Sequence, residues 1–100
     1  MSAIDTKLSV LAPAMDDLLE GAQEAINFQN AKGWNDKGIT LDNLRGKLFF
    51  FAIDNIEAME ELAPRYRVLI GSTVVLAHLY GPGNFDLVAD YELDTSSLGL

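Results

Sequence analysis

The chain has 100 residues, no cysteine, 49% hydrophobic residues and a formal net charge of −8. That length suits one domain, residues 1–100, with its own core and a flexible tail at 94–100, while the missing cysteines exclude disulfides, thiolate metal sites and cysteine nucleophiles and fit a cytoplasmic setting. The charge divides as −4, 0 and −4 over residues 1–31, 32–67 and 68–100, so neither end offers the lysines and arginines that phosphates demand, and direct binding to nucleic acid or to an anionic membrane is disfavoured.

The N-terminal residues, MSAIDTKLSV, lack a basic region followed by an apolar run and do not read as a signal peptide. Ile4, Leu8, Leu11, Met15, Leu18, Ala22 and Ile26 recur at steps of three and four, which predicts a helix, with Ser2 and Asp5 resembling a capping pair at its start. Pro13 removes a backbone donor inside this stripe, so either a kink near residues 9–13 or a short helix followed by a longer one is expected. The alternation of Ile4, Thr6, Leu8 and Val10 leaves a strand as the alternative for the first ten residues. Asp16, Asp17, Glu20 and Glu24 line the opposite, acidic side.

Residues 27–38, NFQNAKGWNDKG, read as a connection rich in turn residues, and two long helices joined by it should pack antiparallel. Trp34 lies within it, placed either to fold back and plug the end of the bundle or to anchor a partner.

The second helix is predicted over residues 40–63, with Leu41, Leu44, Leu48, Ala52, Ile56, Met59 and Ala63 on one face, Thr40 as N-cap and Pro64 as stop. Phe49, Phe50, Phe51 and Ile53 complicate that face. Phe49, Phe51 and Ile53 can flank the stripe and enter a wide core, but Phe50 shares a side with Asp54, Glu57 and Glu61. Phe50 is therefore expected beneath the C-terminal segment or against a second copy or partner.

Residues 65–80, RYRVLIGSTVVLAHLY, are apolar nearly all round, which suits a buried helix stopped by Gly81-Pro82. A strand hairpin turning at Gly71-Ser72, or a kinked continuation of the second helix, are the alternatives. Their apolar run is too interrupted to span a membrane. After the turn at Gly81-Pro82-Gly83-Asn84, residues 85–94 alternate as a strand would, presenting Asp86, Asp90, Glu92 and Asp94 on one face.

Little points to catalysis. The single histidine, His78, sits in the apolar third element and reads as a hydrogen-bonded core residue; the carboxylates at helical spacing read as wet surface; no phosphate loop, calcium loop or nucleophile elbow is present. No cofactor and no metal are implied, and no stretch carries a family-specific motif. The fold expected is mainly α, a small helical bundle built on an antiparallel helical hairpin with a buried third element; the alternative is α+β, with a small C-terminal antiparallel sheet.

For function, the first expectation is a non-enzymatic protein–protein interaction module that forms homo-oligomers through Phe49, Phe50, Ile53 and Trp34, together with the apolar third element. The alternative is a small acidic inhibitor or decoy of a nucleic-acid-binding protein, of the phage anti-defence type by size and charge alone. It would offer Asp16, Asp17, Glu20, Glu24, Asp86, Asp90, Glu92 and Asp94 to a basic protein surface. A third reading is a small-ligand binder using Trp34, Arg65, Tyr66 and Arg67 at one end of the bundle.

Overall fold

The computed structural model describes residues 3–83 and 92–100, with side chains from Ser9 onward in the first helix. The described residues form four α-helices, α1 (Ala3–Lys32), α2 (Leu41–Asp54), α3 (Ile56–Glu61) and α4 (Pro64–Tyr80), followed by a 3-10 turn, Ser96–Leu98. They include no strand, so the mainly α bundle is the architecture and the sheet alternative is not supported: Gly71 and Ser72, placed at a hairpin turn in that reading, lie inside α4, while most of the strand expected over residues 85–94 lies outside the described residues.

Helix α1 runs unbroken through Pro13, whose ring is exposed, so neither the two-helix division nor an N-terminal strand is found over Ala3–Lys32. Its buried line is Ala14, Leu18, Ala22 and Ile26, with Leu11 and Met15 packed beside it. The side chains of Ile4 and Leu8 lie outside those described. The helix extends through the first half of the expected 27–38 connection and ends at Gly33, at φ 71°; before it, Gln23 donates to Asn27 at 2.8 Å and Gln29 is buried. The short turn that follows is organised by Asn35. Its side chain donates to the Ile39 carbonyl at 2.8 Å and accepts from the Ile39 N–H at 2.9 Å, which fixes Ile39 in the core.

Thr40 caps α2 as expected, in a reciprocal box with Asn43: its hydroxyl accepts from the Asn43 N–H and its own N–H donates to the Asn43 side chain, both at 3.2 Å. Leu44, Leu48, Phe51 and Ala52 are buried. The single helix expected over 40–63 is interrupted at Asn55, which divides α2 from α3. Asn55 is buried, and its amide donates at 2.8 Å to both the Phe51 and Asp94 carbonyls while accepting from the Asp94 N–H at 2.7 Å. The backbone bonds through this point persist, from the Asn55 N–H to the Phe51 carbonyl at 3.1 Å and from the Met59 N–H to the Asn55 carbonyl at 2.9 Å, but Asn55 leaves helical dihedrals at φ −122° and ψ 32°, and the frame shifts. Beyond it Asn55, Met59 and Leu62 face inward, where Ile56 and Ala63 were expected.

Helix α4 runs parallel to α1, as three contacts in register show: Arg67 with Asp17, Ser72 with Gly21 and Tyr80 with Gln29. The two backbones touch. A Cβ on Gly21 would lie 2.9 Å from the Ser72 nitrogen and overlap the Val68 carbonyl, and one on Gly71 would overlap the Leu18 carbonyl. Ile70, Val74 and Val75 complete the core, each burial contributing about 1.5–3 kcal/mol. Arg67, near the start of α4 where a cation is poorly placed, is buried for another reason. Its guanidinium donates to the Met59 and Leu62 carbonyls at the end of α3, at 2.7 and 3.0 Å, and to Asp17 at 2.7 Å. It thereby satisfies carbonyls that a helix end leaves unpaired.

Residues 94–100, expected as a tail, instead dock on the bundle. Leu98 is fully buried against α2, Ser97 donates to Asp54, and the His78 ring links α4 to the chain end through Nδ1 at 2.7 Å from the Val74 carbonyl and Nε2 at 3.0 Å from the Leu98 carbonyl. The Asp94 carboxylate is held below its ordinary value of 3.8, first by the Ser96 hydroxyl and then by the Ser96 N–H, from which it accepts at 2.9 Å.

Candidate interaction surface

The capped start and the inward line Leu44, Leu48, Phe51 and Ala52 fix the rotation of α2, and that rotation decides which of its apolar residues stay outside. Phe50 is 58% exposed, Ile53 41% and Phe49 40%, so the wide core expected to take Phe49 and Ile53 does not, nor does the described part of the C-terminal segment cover Phe50. Phe49 and Phe50 pack edge to face with centroids 5.5 Å apart. Gly46 precedes them by one turn and is exposed, with nothing within 4 Å of where its Cβ would be. Gly46, Phe49, Phe50 and Ile53 are therefore one outer face, on a helix whose own charges, Asp42, Arg45, Lys47 and Asp54, sum to zero.

Trp34 does not join this face. It lies in the turn before α2 begins, is 52% exposed rather than a plug, and pairs with Phe28 at 6.1 Å. The third element contributes less than expected, because Ile70, Val74, Val75 and Ala77 are buried within the bundle. The residues of the ligand-binding reading are separated. Trp34 lies at the end of the bundle where Gln29 meets Tyr80, Arg65 and Tyr66 at the opposite end of α4, and Arg67 is enclosed by Asp17, Met59 and Leu62.

The acidic set also divides. Asp16, Glu20 and Glu24 are exposed along α1, but Asp17 is paired with Arg67 and turned toward α4. Asp86 and Asp90 lie outside the described residues. Asp94 is exposed and caps the 3-10 turn, and Glu92 joins Asp54, Glu57 and Glu61 around a hollow at the α2–α3 break. Such a hollow can receive a basic side chain. Among the described residues no group of three or more histidines and carboxylates is placed to hold a metal ion, and no helix is long and apolar enough to cross a membrane.

Gly46, Asn55, Leu98 and the partner of Arg67 escaped the sequence reading. The one available signal was the presence of three glycines, 21, 46 and 71, inside helical patterns, where each disfavours the helix and so needs a reason. Comparison of the chain with protein-family models, curated proteins and solved structures finds no match.

Proposed function

We propose that the chain is a non-enzymatic interaction module that self-associates through the outer face of α2. The observation that carries this reading is the exposure of Phe49, Phe50 and Ile53 side by side on a helix of zero net charge, within a chain of charge −8. Adjacent exposed aromatics expose apolar area that water disfavours, and a local charge of zero lets two acidic chains meet there with the least repulsion. The cysteine-free composition fits work in a reducing cytoplasm.

Sedimentation from low to high salt tests the reading. Self-association through phenylalanines should hold or strengthen as salt screens the −8 charges, and Phe50→Asp should shift the chain to the smaller species with its helical circular dichroism kept. A strictly monomeric wild-type chain well above micromolar concentration contradicts it. That result would favour the second reading, an acidic decoy for a basic protein surface, which draws support from Asp16, Glu20 and Glu24 standing exposed in line along α1.

A further inference from the structure

Gly46 lies on the exposed face of α2. A glycine inside a helix costs about 1 kcal/mol relative to alanine, and neither usual reason for one applies here. Gly46 is not among the positive-φ glycines, which are Gly33, Gly38, Gly81 and Gly99, and a methyl group on it would meet nothing within 4 Å. The chain's other two helix-interior glycines, Gly21 and Gly71, both sit where another helix presses its backbone against them. Gly46 has the same setting without the neighbour, and exposed apolar side chains stand around it.

The spacing identifies the neighbour. Gly46 and Ile53 are seven residues apart, with Phe49 and Phe50 midway, so reversing the helix direction lays Gly46 on Ile53 and exchanges the two phenylalanine positions. Resting on the self-association reading above, we infer that the partner on this face is α2 of a second copy, antiparallel, about a two-fold axis passing between Phe49 and Phe50. Ile53 of each copy enters the gap at Gly46 of the other. Phe49 meets its counterpart on one flank and Phe50 meets its own on the other, as an isologous interface requires. A chain with the acidic surfaces described above would draw a basic partner to α1 or to the hollow at Asp54, Glu57, Glu61 and Glu92; the neutral α2 face suits a second acidic chain.

The test fills the gap. Gly46→Leu adds bulk where the monomer is open, so its fold should be retained, while association measured by sedimentation should weaken by roughly tenfold or more. Because the chain has no cysteine, single-cysteine variants then report the register. With oxidised glutathione as oxidant, a mixture of Gly46→Cys and Ile53→Cys should form a mixed disulfide dimer. Each variant alone should not, since like positions lie about 10 Å apart along the axis. Wild-type association that Phe50→Asp abolishes but Gly46→Leu leaves unchanged, or like-with-like crosslinking of Gly46→Cys, overturns the inference and leaves the self-association reading standing. A strictly monomeric wild type overturns both: loss of melting temperature in Phe50→Asp then puts the face inside the monomer's own fold, and an unchanged melting temperature assigns it to another protein.

Discussion

Along the α1–α4 seam, Gly21 and Gly71 lie where two helix backbones touch, Ser72 donates to the Gly21 carbonyl at 3.0 Å, and of the residues that meet them Leu18 is buried and Val68 and Ser72 half-buried. On the outer side of α2, Gly46 also has large apolar neighbours, yet Phe49, Phe50 and Ile53 are exposed and, among the described residues, nothing lies within 4 Å of where its Cβ would be. One residue type thus occupies a buried setting against a second helix and an exposed one without it. At the seam the absent side chain lowers the distance between helices enough for main-chain atoms to meet. On α2 the same absence gives the monomer nothing and weakens its helix, which is why this face rather than the seam directs attention outward.

The largest effect expected breaks the seam. Gly21→Ala or Gly71→Ala forces a methyl into a backbone carbonyl that no rotamer change can move, and should destabilise the fold by about 3 kcal/mol, read as a lower urea midpoint at unchanged slope. The same substitution on α2 sharpens the contrast by reversing the sign. Gly46→Ala meets open space and improves helix propensity, so the dilute monomer should gain about 0.5–1 kcal/mol in the same measurement. A destabilising Gly46→Ala would mean that the monomer already packs this position.

The smallest effect belongs to the chain end, which docks on α2 through Leu98 and Ser97 and leaves the seam alone. Asp94 is held below 3.8 by the Ser96 hydroxyl and N–H, so its contribution is fully present above that ordinary value and is lost as pH falls through the lower, folded-state value. Amide exchange of the 3-10 turn, Ser96–Leu98, should therefore lose protection on acidification below 3.8, and Asp94→Asn should flatten that dependence. Because Asp94 is exposed, the change should be slight and confined to the turn.

By itself the sequence determined the hairpin of α1 and α2, the Thr40 cap and the buried positions Leu18, Ala22, Ile26, Leu44, Leu48, Ala52 and Met59, because helical periodicity and capping are local and short in range, but it left residues 65–80 open between helix and strands. It also showed that Phe50 must face away from the main stripe. Only the tertiary structure decided the rest, and in each case a contact between residues distant along the chain was responsible. Asn55 is buried at the break between α2 and α3, where Asp94, 39 residues away, offers its side chain backbone partners. Arg67 is buried because Asp17 and the α3 carbonyls converge on it, which also withdraws Asp17 from the acidic face. Residues 94–100 dock on the bundle because Leu98 is buried in the core beside α2 and Ser97 donates to Asp54. Spacing along one helix fixes which residues share a face, but which faces become covered depends on what other segments bring to them, and periodicity does not encode that pairing.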